Sequence, residues 1–369
     1  MVMNKMTKVF DCIIIGSGVV GSSIAYHLSE RKKYEILLID KSYPLSGTSG
    51  STQAWVWVHS KTPNWYGELS MYSAELYAYL EKKIGDFEYK RTGGIAPFYN
   101  EGDRDKALKL AEEQGKVGIK IDVLTRDEVL EKEPAVSPKI AGATFSKWDG
   151  NLNPFRLVEL YIRAAKKNGV QCSFYNRVTS IKKVRGIFHV ETEQGVFQGN
   201  NVILAGGPWS KELGKMLGVY IPVRQVRGQI LITEPLKPFL KYTIGGVRQT
   251  DNGEVLIGYS KEEVGYDRRT TLDVMQQTAR MAIDLVPALA KANIVRAFSG
   301  IRVIPEDGLP IFGEIPGIKG AYIAVMHSGI TLSAIVGTLM TELLIDGETS
   351  LDISRYSLKR FSNLPNRKI

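Results

Sequence analysis

Gly16-Ser17-Gly18-Val19-Val20-Gly21 is the segment of this 369-residue sequence whose spacing most directly implies chemistry. It follows an apolar run at residues 9–15 and opens a stretch, residues 19–28, in which apolar residues recur at helical spacing. Gly16 permits a tight turn, Gly18 lets a pyrophosphate approach the backbone, and Gly21 allows close packing of helix on strand. The helix N-terminus then faces the phosphates with unpaired N–H groups. Asp40 stands about 20 residues further on, at the end of a second apolar run, where a carboxylate accepts from a ribose hydroxyl. Strand, helix and acid in this register predict dinucleotide binding; a bare glycine turn would lack the other two. The motif does not by itself separate a nicotinamide from a flavin dinucleotide.

Three further segments have residue types suited to a ligand. Ser46-Gly47-Thr48-Ser49-Gly50-Ser51-Thr52-Gln53 is a small, hydroxyl-rich loop that either adds donors to a pyrophosphate or is a plain surface linker. Ala205-Gly206-Gly207-Pro208-Trp209-Ser210 follows the apolar residues 202–204, and its glycines suit a close backbone approach to a ligand or a simple turn. Arg302 lies in the otherwise apolar, turn-rich Gly300-Ile301-Arg302-Val303-Ile304-Pro305-Glu306-Asp307-Gly308-Leu309-Pro310-Ile311-Phe312-Gly313. An arginine there is either structural or a planar fork for a substrate carboxylate. Among the four histidines, His59 is the candidate to line a substrate cavity, against a polar residue on a surface-facing loop. Trp57 either walls that cavity or packs as a buried aromatic.

The elements that position these residues follow from periodicity. Residues 9–15 and 35–39 read as strands buried on both faces, and with the helix between them they make a βαβ unit. Residues 63–84 form a helix with Tyr66, Leu69, Tyr72, Leu76 and Leu80 along one side. Strands are expected at residues 91–99 and 142–145, with a charged helix at 103–117 between them. A helix at 154–167 precedes strands at 170–175 and 178–184, and residues 185–197 alternate as a hairpin turning near Gln194-Gly195. The middle is strand-rich, at residues 229–233, 244–249 and 254–259, followed by a helix at 272–285. Residues 321–324 and 331–345 close the chain as strand and helix.

Composition narrows the class. A hydrophobic fraction of 44% and a charged fraction of 24% are those of a globular enzyme. The two cysteines, Cys12 and Cys172, lie in strand-like stretches, which supports neither a disulfide framework nor a Cys-based metal site and fits a reducing compartment. No metal site is expected. The formal net charge of +9 is spread over lysines with glutamates nearby, as in Glu81-Lys82-Lys83, so a solvated surface is expected rather than nucleic-acid binding. No run reaches the length of a spanning helix and no secretory leader is evident, so a cytoplasmic protein is expected.

Taken in order, the fingerprint Gly16 to Gly21, the loop Thr48 to Gln53, the Ala205-Gly206-Gly207-Pro208-Trp209-Ser210 turn, Gly300-Ile301-Arg302 with Asp307-Gly308-Leu309-Pro310, and His327-Ser328-Gly329-Ile330-Thr331-Leu332 resemble the D-amino-acid oxidase-like flavoproteins. That group contains glycine oxidase, sarcosine oxidase and many amino-acid dehydrogenases, and the resemblance spans nearly the whole chain. It implies an α+β protein in which a Rossmann-like FAD-binding domain is interleaved with an antiparallel-sheet substrate domain. The FAD-binding pieces are expected at residues 1–85, 146–224 and 300–369, and the substrate-binding pieces at 86–145 and 225–299.

The resemblance further implies where FAD lies. Its pyrophosphate falls on Val19 and Val20 and its ribose on Asp40 and Lys41, with contacts from Thr48, Ser49, Gln53, Ala54 and Trp55. Val178 meets the adenine through its backbone, and Ala205, Gly206, Gly207 and Trp209 belong to the cofactor site. Gly329, Ile330 and Thr331 approach the pyrimidine edge of the flavin, with His327 ordering that turn and Ser328 also in the cofactor site. Arg302 binds the substrate carboxylate. Gly245 and Gly246 stand where glycine oxidase has a tyrosine, so that second carboxylate contact is not carried over. Ala54 stands near the position of the histidine that holds flavin covalently in dimethylglycine-type enzymes, so non-covalent FAD is expected.

The segments at residues 55–59 and 327–332 are most similar to catalytic subunits of heteromeric, dye-linked hydroxyproline and opine dehydrogenases and of hydrogen cyanide synthase. The implied activity is oxidation of a small amino acid or secondary amine by hydride transfer from the carbon beside nitrogen, giving an imine, with a dehydrogenase favoured over an oxidase. The implied partner is an electron-accepting flavin or iron–sulfur subunit, and an oligomer is expected. The rival activities are a 2-hydroxy-acid or glycerol-3-phosphate dehydrogenase; outside enzymes, they are a non-catalytic flavin subunit or an RNA-modification factor.

Overall fold

The computed structural model describes residues 8–31 and 34–362. What the sequence suggests about a leader within residues 1–7 lies outside these. The chain divides into two compact units, one of residues up to Gly50, Phe155–Gln225 and residues from Val303 on, the other of Ser51–Pro154 and Val226–Arg302.

The first unit is built on the expected buried strands. Val9–Ile15 pairs in parallel with Ile36–Ile39 on one side and with Gly195–Leu204 on the other, and Ala321–Val325 extends the sheet parallel to Gly195–Leu204. Ile36–Ile39 is buried at every position, as a strand covered on both faces must be. Gly195–Leu204 serves twice: its first half closes the antiparallel hairpin with Ile187–Thr192, and its second half enters the parallel sheet. Ile13, Ile15, Leu37, Val202, Leu204 and Ile323 are core residues, each stabilising the fold by about 1.5–3 kcal/mol through removal from water.

The second unit holds an antiparallel sheet in the order Ile294–Pro305, Val223–Thr233, Val255–Ile257, Val247–Gln249, Thr243–Ile244, Gly94–Phe98, Gly142–Ser146, Asp122–Thr125, with one parallel pairing between Thr243–Ile244 and Gly94–Phe98. Leu231, Ile257 and Val247 stand opposite one another across three strands and belong to one apolar cluster with Leu285 and Leu289. The helix Leu272–Leu285 thus seals one face of this sheet. Alternation leaves Gly228, Ile230 and Gly258 for the other face.

Several expectations are corrected. Residues 51–85 and 146–154, expected with the first unit, group with the second, where Gln53 Nε2 donates to the Gly246 carbonyl and Arg248 Nη1 to Asn151 Oδ1 at 2.9 Å. Residues 244–249 are not one strand: Gly245 and Gly246 make a hairpin turn, with Ile244 opposite Val247 and Gly246 at φ 91°. The strand Asp122–Thr125 and the helices Arg126–Lys132 and Ser210–Met216 had no clear periodicity. The Arg126–Lys132 helix starts on a capping box, in which Thr125 and Glu128 satisfy each other's backbone N–H groups.

Candidate functional site

In the first unit, the glycine fingerprint is sterically obligatory. A Cβ on Gly16, which sits at φ 115°, would fall 2.3 Å from the Ala205 carbonyl oxygen, and one on Gly21 would fall 1.9 Å from the Gly16 oxygen. The Asp40 carboxylate is fixed beside it: Oδ2 accepts from Ser17 N at 2.7 Å and Ser17 Oγ at 2.9 Å, while Oδ1 accepts from Ser42 N at 2.9 Å. A carboxylate has about four lone-pair positions, so one remains for a hydroxyl.

The first helix, Val19–Glu30, and the last, Gly329–Ile345, lie side by side with a constant offset. Ser23 Oγ donates to the Ser333 carbonyl at 2.6 Å across 310 residues of sequence. A Cβ on Gly329 would come 3.5 Å from Val19 Cγ1 and 3.4 Å from Val20 Cγ2, and one on Gly337 would come 2.5 Å from His27 Nδ1. Equal offsets at three levels mean that the helices are parallel and in register. Their N-termini therefore come together, and their dipoles add at one end. Gly18 and Ser328, the two N-cap residues, provide no side-chain cap, and neither helix has an acid in its first turn. This is an anion cradle made of backbone, and it fits a dinucleotide pyrophosphate.

The remaining cofactor candidates of this unit gather around that cradle. Ser49 Oγ accepts from Val19 N at 3.1 Å, which attaches the hydroxyl-rich loop, with Thr48 beside it in a turn of 3-10 helix, to the first helix. Lys41 Nζ stands 3.2 Å from the ring centre of Trp209, and Gly47 passes the same ring. Gly206 and Gly207 turn the chain between Ala205, whose N–H donates to Ile15, and Trp209. The Asn176 N–H donates to the Asp40 carbonyl at 2.9 Å, which ties the chain two residues before Val178 to Asp40. His327 and Ser328 precede the last helix, and Ile330 and Thr331 are buried in its first turn.

Gln53, Ala54 and Trp55 lie in the second unit. The chain there crosses the sheet face opposite Leu231 and Val247: Gly300 makes room for Ser51, and Gly258 for Gln53, whose Nε2 donates to the Gly246 carbonyl at 2.7 Å. Ala54 is fully buried at φ 56°, a conformation that costs a non-glycine residue about 1 kcal/mol.

Arg302 is on this same face. Its guanidinium lies over Gly228, and Nη1 donates to the Ser260 carbonyl at 2.8 Å and the Arg227 carbonyl at 3.4 Å. Burial lowers its pKa, and among the described residues no carboxylate is paired with it. A desolvated cation without a counter-charge favours binding of an anion. At Gly246 a Cβ would fall 2.4 Å from the ring of Tyr259, so the place of a side chain there is filled by Tyr259.

His59 is corrected on both of its expected roles. It is fully buried, hydrogen bonded through Nδ1 to Asp149 Oδ2 and through Nε2 to Thr144 Oγ1 at 3.0 Å, so neither ring nitrogen faces a cavity or solvent. Trp57 is 8% exposed and its ring lies 4.7 Å from that of His59, tilted by 43°, which makes it core. Sequence reasoning missed the surroundings of Arg302, namely Gly228, Arg227, Ser260 and Glu262. The only local signal was a charged Arg227 beside glycine inside an apolar strand; Glu262, 35 residues away from it, gave none. Among the described residues no helix is long and apolar enough to cross a membrane, and no cluster of metal-ligating side chains occurs.

A backbone cradle at the N-termini of two helices beside a mostly parallel sheet is the architecture of a dinucleotide-binding protein. The chain belongs to the FAD dependent oxidoreductase family, whose model matches residues 11–343. It is 31% identical to hydrogen cyanide synthase subunit HcnC of Pseudomonas protegens over 416 residues, covering 98% of this chain and 99% of that protein. With an opine oxidase subunit of Agrobacterium tumefaciens it shares 28% identity over 363 residues, covering 95% and 97%. The crystal structure of glycine oxidase from Geobacillus kaustophilus superposes with a TM-score of 0.91 at 28% identity, covering 96% of this chain and 99% of that one.

Proposed function

We propose that this FAD-dependent oxidoreductase oxidises a small amino acid or secondary amine that carries a carboxylate. The observation supporting this is Arg302: a largely buried guanidinium with two carbonyl contacts on Nη1 and no carboxylate of its own. A substrate carboxylate supplies the missing counter-charge through a bidentate, charge-assisted contact and is held in one orientation. FAD, when bound, supplies the acceptor for the hydride leaving the carbon beside nitrogen. The substrate amine reacts in its neutral form, so the protein has no need of a side-chain base, in keeping with a His59 whose nitrogens are both engaged. The imine product hydrolyses in water.

In this proposal the first unit binds FAD, without a covalent bond, and the second binds substrate. Val19 and Val20 serve the pyrophosphate, Asp40 and Lys41 the ribose, Val178 the adenine, and the Gly329-Ile330-Thr331 turn the flavin ring. Thr48, Ser49, Gln53, Ala54 and Trp55 complete the cofactor contacts. Two of the relatives compared are named as subunits, which favours transfer of electrons to a partner subunit over use of oxygen. Anaerobic bleaching of the flavin against a panel of amino acids, opines, carboxylate-free amines, 2-hydroxy acids and glycerol 3-phosphate is the test. Bleaching by an amino acid or opine is the expected result, and bleaching by hydroxy compounds alone would overturn it.

A further inference from the structure

Arg302 is seated by a structure on both sides of one strand. Residue 228, as glycine, leaves the seat for Arg302: a Cβ there would fall 2.2 Å from Nη1 and 2.4 Å from both Cζ and Nη2, displacing the guanidinium. Its neighbours Arg227 and Gln229 point to the opposite side, as alternation requires, and both hold Glu262. Arg227 Nε and Nη2 meet the two Glu262 oxygens at 3.1 and 2.6 Å, and Gln229 Nε2 donates to Glu262 Oε1 at 3.0 Å. Arg227 is 4% exposed, and its Nη1 also pairs with Asp267 at 3.1 Å.

This clasp fixes the two carbonyls that hold Arg302. The Arg227 and Glu262 backbones exchange N–H to carbonyl bonds at 2.8 and 3.0 Å, and Gln229 N donates to Ser260 Oγ at 2.7 Å. Residues 260–271 form neither helix nor strand, yet the segment is tied down at Ser260, Glu262, Asp267, Arg268 and Thr271. Arg302 Nε and Nη2 have no acceptor among the described residues.

We propose that Glu262 is a positioning residue for the substrate carboxylate: through its ion pair with Arg227 it fixes the Ser260 and Arg227 carbonyls on Arg302 Nη1, over the seat left by Gly228, and so reserves Nε and Nη2 for the carboxylate. The proposal rests on the carboxylate role of Arg302 given above. It makes Glu262, an acid, a contributor to anion binding, a sign opposite to what its charge alone would give.

Acetate titrated into the FAD-loaded protein and followed by calorimetry is the probe. Glu262→Gln and Gly228→Ala are each expected to weaken acetate binding at least on the order of tenfold, as a displaced charge-assisted contact should, while flavin content and flavin affinity stay at the parent's values. The new methyl of Gly228→Ala meets the movable end of Arg302, so this variant reads the seat even where Glu262→Gln does not fold. Parental acetate affinity in a folded Glu262→Gln together with Gly228→Ala would overturn the proposal, as would a parallel loss of flavin affinity, which marks general loosening. Arg302→Met is the control that separates the two levels. If it abolishes acetate binding while the other variants do not weaken it, only the clasp fails; if it leaves acetate binding intact, the role of Arg302 fails and the clasp with it.

Discussion

His59 and Asp149 form a hydrogen-bonded pair with both side chains fully excluded from solvent, and Asp149 Oδ1 also accepts from Val58 N at 2.6 Å. The pair ties the segment after Trp55–Val56 to the one before Gly150–Asn151, two strands that already face each other. Removing the imidazole leaves a buried carboxylate short of a partner, at a cost of about 3 kcal/mol. His59→Ala is therefore expected to lower the unfolding free energy in denaturant by that order while leaving the rate of reduction per bound flavin unchanged. A normal unfolding curve with collapsed reduction would instead mean that His59 touches the reacting groups.

Gly18→Leu should give folded, colourless protein, because its side chain would stand at the shared N-termini of two helices where the pyrophosphate approaches. The parent should be yellow and should release all its flavin on denaturation. Yellow precipitate, or a yellow Gly18→Leu protein, counts against the cradle.

Arg302→Met should retain FAD yet reduce it less readily with an amino acid, by about 3 kcal/mol in substrate concentration and rate combined, or roughly a hundredfold. The matched amine without its carboxylate should show a small deficit. Anaerobic stopped-flow bleaching with both compounds measures the difference.

Acidification should remove the stabilisation that the acids of the Arg302 clasp contribute. Hydrogen bonding from Arg227 lowers the pKa of Glu262, and that from Arg269 lowers the pKa of Asp267. Folded pKa values below the unfolded ones mean that the unfolded chain binds more protons, so their stabilisation is present above about pH 4 and is lost as pH falls through the folded values. Thermal midpoints measured from pH 7 down to 3 should therefore fall less steeply in Glu262→Gln than in the parent.

Substrate-reduced protein should reoxidise slowly in air-saturated buffer and quickly with an artificial dye. Oxygen restoring the yellow colour at the turnover rate, with an equal amount of hydrogen peroxide, would make the protein a self-sufficient oxidase.

The nucleotide-binding half was legible because its determinants are local. Gly16, Gly18, Gly21 and Asp40 all lie within one βαβ unit whose turn, helix N-terminus and strand end call for them, although it is the distant Ala205 carbonyl that crowds Gly16. Arg302 was visible as a charge in an apolar run, but its seat was not, since Gly228 and Glu262 approach it only through strand pairing. His59 misled for the same reason: a histidine six residues after the hydroxyl-rich loop looks available until Asp149, 90 residues later, is folded onto it. The hairpin at Gly245-Gly246 was hidden by apolar residues on both sides, although two consecutive glycines were the signal for it.

The 310-residue offset between the paired helices also governs the order of assembly. During synthesis Val19–Glu30 exists long before Gly329–Ile345, and the strand that its own strand pairs with, Gly195–Leu204, emerges midway. Contacts of such separation form slowly, since the intervening chain must first be closed into a loop. The anion cradle thus comes into being only when residues 329–345 have left the ribosome, and the nascent chain carries its glycine fingerprint without the partner helix while the 310 residues between them are made.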